Sequence, residues 1–350
     1  MRFEAEPPWR WFAHCHCSIC RRHHGSLFST SVGTDASRFR WIAGGEHVRR
    51  YRASPAFERP FCGRCGSKLP APPQDPRLVN VPAGMLDGDL GGATPRTRIF
   101  VASKAACDGI ADALPRHDAY PPGACPPGAH PPGADPYDIH PTGADPYDAR
   151  PSGADPHDAD PHDADPSGAR AAEASDERRA RPEPATALTG GCACGAIAFR
   201  IAGGIGKLLH NHAAAARRSR GAAYASDAAV AAERLHWLRG LDSLETISLD
   251  APGAPTPAGP FTAAFCRVCG ALQPSPLVDG AADADGGGGA QPGAGREPAA
   301  FLVPCGAIDS APAPAAGAVH IHVASKAEWF GIADSLPRFA ALPPGGVRAG

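Results

Sequence analysis

The sequence predicts a mainly β protein: two small, metal-stapled domains in tandem, joined by a disordered linker. Three observations carry that reading. The two ends of the 350-residue chain are copies of each other, its cysteines fall at metal-ligand spacings, and its excess of glycine and proline (41 and 40 residues) has an address between the copies.

The duplication can be read directly. "VASKAACDGIADALPRHDAYPPG" (101–123) lies over "VASKAEWFGIADSLPRFAALPPG" (323–345) with 16 of 23 positions identical. "FCGRCGSKLP" (61–70) lies over "FCRVCGALQP" (265–274), and "AHCHCSICRRHHGSLFST" (13–30) over "LHNHAAAARRSRGAAYAS" (209–226). The order is the same in both halves, the mark of a tandem duplication. Domains are therefore expected at 1–118 and 186–345.

Between them, 119–185 repeats a Pro-Gly-Ala-Asp-Pro unit with almost no aliphatic residue larger than alanine. Such a tract cannot bury enough apolar surface to offset its ordering entropy and reads as a disordered linker. Its His130, His140, His157 and His162 stand beside aspartates, a weak metal-binding pattern that an acidic spacer explains as well. A second loose insert, 279–298, reads as a flexible loop.

Each copy reads as strand-rich. "AIAFRIA" (196–202), "RIFVAS" (98–103) and "VHIHVAS" (319–325) are short runs of β-branched and aromatic residues. Ser325 and Glu328 have capping-box spacing, which predicts a helical turn after Ser325. Glycine and proline punctuation, rather than a long 3.6-residue stripe, separates these pieces.

A C-x-x-C turn followed by glycine recurs in both copies, as Cys62 and Cys65 and as Cys266 and Cys269. The turn lets two thiolates meet one ion and is a half-site for tetrahedral zinc. A thioredoxin-type redox pair would instead need a strand-to-helix context that these turns lack. The second copy adds Cys192 and Cys194, and two plus two makes a closed four-thiolate set. At the positions of Cys15, Cys17 and Cys20 it carries Asn211, Ala213 and Ala216. The three-cysteine cluster and the four-cysteine set are thus separable sites, which weakens the rival idea of one zinc ribbon from Cys17, Cys20, Cys62 and Cys65. Three protein ligands leave a coordination position open, as in catalytic rather than structural zinc. His14, His16, His23 and His24 are either candidates for that fourth place or ordinary polar loop residues. Arg21 and Arg22, matched by Arg217 and Arg218, are either a bidentate clamp for a substrate carboxylate or a solvated basic turn.

Composition narrows the function classes. A net charge of −2 without a basic stripe argues against nucleic acid and anionic membrane as partners. No apolar run approaches the roughly 20 residues of a spanning helix, and "MRFEAEPPWRW" lacks a signal-peptide core. Twelve cysteines without a secretory signal point to a reducing, cytoplasmic setting. Nothing in the sequence sets the oligomeric state or says whether the copies pack together.

The motifs "GGCACG", "CHCSICRR", the two F-C-x-x-C-G turns and the two "SKA" segments, in matching order, resemble the glutathione-dependent formaldehyde-activating enzyme family, also called the centromere protein V/GFA family. The resemblance implies an Mss4-like fold, with a structural zinc on C-x-C plus C-x-x-C and a second, reactive zinc on C-x-C-x-x-C. It further implies a carbon–sulfur lyase activity, S-(hydroxymethyl)glutathione synthase-like, that joins or parts glutathione (or a similar thiol) and formaldehyde or another small aldehyde. By carry-over, Cys15, Cys17 and Cys20 hold the reactive zinc, while Cys192, Cys194, Cys266 and Cys269 hold the structural one. Cys62 and Cys65 are half of another. The competing class is a non-enzymatic zinc-stapled module of the same fold. Two departures stand out: the second copy lacks the reactive cluster, and Cys107 replaces the family tryptophan, present as Trp329. Phe3 and Phe199 each precede a matching histidine, His14 and His210, by 11 residues. The register therefore puts the counterparts of Cys192 and Cys194 just upstream of Met1, so the first domain is expected to lack its true beginning.

Overall fold

The computed structural model describes residues 1–54, 57–71, 75–122, 187–249, 261–277, 298–309 and 316–344, with 312 and 314. Residues 119–122, expected to open the linker, are placed in the structure, whereas the rest of the linker with its four histidines, and nearly all of the 279–298 loop, lie outside the described residues.

The protein is mainly β, and the two halves repeat one plan. In the first half, β1 (Arg2–Ala5) pairs with β4 (Phe39–Ala43) and β5 (Val48–Ser54) with β6 (Phe57–Cys62). A five-stranded sheet contains β2 (Trp11–Cys15), β3 (Ser29–Asp35), β7 (Leu78–Pro82), β8 (Thr97–Ile99) and β9 (Arg116–His117), in the order β7-β3-β2-β8-β9. In the second half, β10 (Leu188–Gly191), β11 (Ala198–Ile201) and β14 (Leu235–Arg239) form one ribbon. Another holds β15 (Leu244–Leu249), β16 (Phe261–Cys266) and β17 (Leu272–Gln273). The central sheet contains β12 (Leu208–Asn211), β13 (Ala225–Ala231), β18 (Ser275–Pro276), β19 (Ala300–Pro304) and β20 (Ala318–Ile321), in the order β18-β19-β13-β12-β20. The register repeats as well. His14 pairs with Arg98 on parallel strands β2 and β8, and His210 pairs with His320 on β12 and β20.

Two short helices, α1 (Ser18–His24) and α2 (Ala214–Arg220), follow β2 and β12. Each ends at a glycine in the left-handed region, Gly25 and Gly221, after a last turn rich in basic residues that suit the helix C-terminus. The predicted strands 98–103 and 319–325 stop short of their ends, where Phe100 and His322 take positive φ and 3-10 turns follow over Val101–Ser103 and Val323–Ser325. A 3-10 turn thus ends at Ser325, and a single hydrogen-bonded turn follows it, the Phe330 N–H donating to the Ala327 carbonyl at 3.1 Å. The Lys326 ammonium donates to the carbonyls of Ala327 and Phe330, and Trp329 and Phe330 are buried, so the chain makes no longer helix there.

The halves pack together about an internal pseudo-two-fold axis, with counterparts meeting counterparts. The rings of Phe28 and Tyr224 lie 5.3 Å apart, edge to face, and those of Phe61 and Phe265 lie 6.4 Å apart. Arg22 pairs with Asp309 and, reciprocally, Arg218 with Asp87 at 2.6 Å. A single buried core includes Phe12, Phe28 and Val81 from one half with Phe199, Val230 and Trp329 from the other. Among the described residues no helix is long and apolar enough to cross a membrane.

Candidate metal centres

Cys15 closes β2, Cys17 caps α1 and Cys20 lies in its first turn, so a strand end and a helix start bring three thiols to one point. Their sulfurs lie within 4.8 Å of one another. The Cys17 sulfur accepts from the backbone N–H of Cys20 at 3.4 Å, making the cap itself part of the cluster. Hydrogen bonds from Cys15 and then Cys17 hold the Cys20 thiol well below the ordinary thiol range.

Three of the four neighbouring histidines are engaged elsewhere. His14 bonds Thr30 at 2.9 Å. His16 is clamped between Asp108 at 2.8 Å and Arg98 at 3.0 Å, and Arg98 is itself held by Asp112. His24 bonds the Arg220 carbonyl across the halves at 2.6 Å, while the buried His23 keeps its Nδ1 without a hydrogen-bond partner and does not join the three sulfurs. Among the described residues the cluster therefore consists of three thiols with no fourth protein ligand. Arg21 donates from Nε to the His16 carbonyl at 3.2 Å, while Arg22 is taken up by Asp309.

Sequence reasoning missed two residues at the cluster. Arg59, from β6, points a guanidinium nitrogen at the Cys20 sulfur at 3.6 Å, and its Nε is buried without a hydrogen-bond partner. Burial works against that charge, yet the negative charge of Cys20, Cys17 and Cys15 outweighs it and holds the guanidinium above its ordinary range. The Tyr120 phenol is pushed up beyond its ordinary range by burial and then by the same thiols, and its ring packs on Phe100 at 5.0 Å. The second copy has Ala263 and Leu342 at these positions. It has lost the cluster, the arginine and the tyrosine together, a signal that was present in the internal alignment.

Cys192, Cys194, Cys266 and Cys269 form the second group, their sulfurs again within 4.8 Å of one another. The spacings Cys192–Cys194 (3.4 Å) and Cys194–Cys266 (3.7 Å) approach the edge of about 3.8 Å expected for a tetrahedron with Zn–S near 2.3 Å. The backbone N–H of Ile197 donates to the Cys192 sulfur at 3.2 Å. Four thiols with a backbone donor at this spacing fit a closed zinc site. The C-x-x-C turn beneath it needs glycine at 270: φ is +71°, and a Cβ there would meet the Phe61 ring at 2.3 Å.

Cys62 and Cys65 lie together, with the Cys65 thiol donating to the Ser67 hydroxyl at 3.2 Å. Among the described residues no third ligand joins them. Buried Lys68 donates to the Gly66 carbonyl at 2.7 Å and also to the Gly270 carbonyl, tying the two C-x-x-C turns across the halves.

Two comparisons with known proteins bear on these centres. A family profile described as glutathione-dependent formaldehyde-activating enzyme matches residues 1–103 and 187–281, more than half of the chain and both halves. A protein of Halomonas elongata named "Putative glutathione-dependent formaldehyde-activating enzyme" is 34% identical over 113 residues, which are 30% of this chain and 71% of that protein.

Proposed function

Since the chain belongs to the glutathione-dependent formaldehyde-activating enzyme family, we propose that its first half, residues 1–118, joins or parts a small aldehyde and a thiol of the glutathione class. The observation that carries this reading is the three-thiol cluster with no fourth protein ligand, facing a guanidinium whose Nε is free. Cys15, Cys17 and Cys20 would hold a zinc ion, which lowers the pKa of a substrate thiol and polarises an aldehyde oxygen. Arg59 sets the charge of the cluster and offers its free Nε–H to the oxygen on which negative charge develops as the carbon–sulfur bond forms. Arg21 is buried and Arg22 half-buried, with their main directions already taken, so a substrate carboxylate would have to share them. Cys62 and Cys65 would hold an ion only with help from outside the described residues. The second half keeps a closed four-thiolate site and serves as a structural partner. A cytoplasmic location accords with this many reduced thiols.

The test is exchange NMR with 13C-formaldehyde and glutathione on zinc-loaded protein. Faster interconversion of free aldehyde and S-hydroxymethyl adduct than in buffer supports the reading. An unchanged exchange rate with formaldehyde and with larger aldehydes overturns it in favour of a non-enzymatic module.

A further inference from the structure

Cys15 and Cys17 bring their sulfurs to one point, and the histidine between them is gripped on every side. The His16 N–H donates to the Ile99 carbonyl at 3.0 Å, and the His16 carbonyl accepts from Arg21 at 3.2 Å. Its ring is fully buried, with Nδ1 2.8 Å from the Asp108 carboxylate and Nε2 3.0 Å from Nη1 of Arg98. A guanidinium only donates, so Nε2 accepts and the ring proton stands on Nδ1, given to Asp108. Arg98 is itself fixed. Asp112 takes its Nε and Nη2 at 3.0 and 2.6 Å, and its guanidinium lies 5.1 Å over the Phe28 ring.

The second half repeats the frame and changes the grip. His212, the counterpart of His16, keeps the same backbone bonds: its N–H donates to the Ile321 carbonyl at 3.0 Å and its carbonyl accepts from Arg217 at 3.4 Å. Lys104 donates to the Asp108 carbonyl as Lys326 does to that of Phe330, so one turn presents both residues. Yet the carboxylate has become Phe330, and Arg98 has become His320. His320 gives its Nε2 proton to Asp334 at 3.0 Å, so its Nδ1 accepts from His212 Nε2 at 2.8 Å. The proton of His212 therefore stands on the opposite nitrogen, and its buried Nδ1 has no hydrogen-bond partner. Here the turn is held locally instead, Asn211 accepting from the Ala213 N–H at 2.9 Å. The half without the three cysteines is also the half without the two-sided grip.

We propose that Asp108 and Arg98 are positioning residues for the three-thiol cluster: by gripping His16 at both ring nitrogens they hold the turn from Cys15 to Cys17 at the spacing a metal ion needs. This rests on the reading of the cluster as a metal site. Seating an ion takes the protons from the thiols, and three thiolates side by side repel one another until the ion is in place. A turn free to open would relieve that repulsion by spreading the sulfurs, and binding would then have to reassemble them. A histidine locked at its backbone and at both ring nitrogens keeps the site assembled in advance, as residues behind a metal's ligands commonly do. Asp108 does so from 92 residues along the chain, touching none of the three sulfurs itself.

The test loads the full-length protein with 113Cd, which takes the place of zinc on thiolates and reports each site as its own resonance. Cys17→Ser identifies the cluster's resonance by removing it. Asp108→Phe installs the residue of the second half, Asp108→Ala does the same without a ring to accommodate, and Asp108→Asn keeps an oxygen to accept from Nδ1. The Phe and Ala variants are expected to shift or broaden the cluster resonance and leave that of the four-cysteine site in place. In competition with a chromogenic chelator they should hold zinc at the cluster about 10-fold more weakly, and Asp108→Asn should restore both readouts. An unchanged resonance and affinity, an equal loss at both sites, or an Asn variant no better than Ala would overturn the proposal and leave the metal site standing. A wild-type protein whose cadmium appears at the four-cysteine site alone would overturn the reading of the cluster, and the proposal with it.

Discussion

Arg59 is a half-buried cation whose partner at the cluster is a sulfur, and its chemistry follows from that. Replacing it by alanine removes the counter-charge and one directional donor while leaving all three ligands in place. Arg59→Ala is expected to lower kcat/KM for thiol–aldehyde exchange on the order of 100-fold, with zinc content by elemental analysis unchanged. Arg59→Lys should recover part of the loss, since charge returns without the forked geometry. An Arg59→Ala protein as active as wild type would leave the cluster without this helper. The cysteines themselves were legible from the sequence, because three thiols within six residues declare their chemistry locally. Arg59 was not, because it lies 39 residues beyond Cys20 and only the folding of β6 brings it there.

At the scale of elements, the opening motif divides its labour between a strand end, a cap and a first helical turn. Cys17 belongs to the cap of α1, so Cys17→Ser keeps a capping oxygen while removing a soft ligand. It is expected to abolish exchange with little loss of thermal stability. Cys266→Ser should do the reverse first: zinc per chain falls from about two to about one, and the melting temperature drops because that ion contributes folding energy. Calorimetry and elemental analysis on the two variants distinguish these outcomes. Gly270→Ala combines a strained φ with a clash into the Phe61 ring, and should cost about 2 kcal/mol or more, seen as a shift in the urea midpoint. Neither short helix was foreseen, since seven residues are too few to show a 3.6-residue stripe. The signal that was available was a basic run ending in glycine, RRHHG and RRSRG. The duplication was read correctly because identity between copies does not depend on local propensity. The turn expected after Ser325 is present as one hydrogen-bonded turn over 327–330 and goes no further, since Lys326 takes the carbonyls of Ala327 and Phe330.

Taken whole, the molecule buries imidazoles that the folded state does not let charge. Burial lowers His24 to about 4, His210 to about 3 and His212 to about 2, the last two helped by His320 and the first opposed by Cys20. All three fall from an ordinary value of 6.5. Below that pH the unfolded chain takes up protons that the folded chain refuses, so stability falls as pH drops and is fully present above it. Each such histidine contributes up to about 1.4 kcal/mol per pH unit in that window. Chemical denaturation between pH 7.5 and 5 should show stability decreasing with acid, and His210→Gln should flatten the slope. A pH-independent midpoint would mean that these rings charge freely in the native state. That the halves would pack at all was invisible in the sequence, because counterparts such as Phe28 and Tyr224 show their contact only once both sheets exist.

Lys68 gives this arrangement a consequence for ancestry and design. It sits where the pseudo-axis passes between the two C-x-x-C turns and serves both glycine carbonyls, and the second copy has Leu272 in its place. In an assembly of two identical chains any residue near the axis arrives twice, and two ammonium groups would collide there. Fusion into one polypeptide lifts that constraint. A single cation can occupy the midline because its twin is free to become something else, and the same freedom lets one half keep a reactive cluster while the other gives it up.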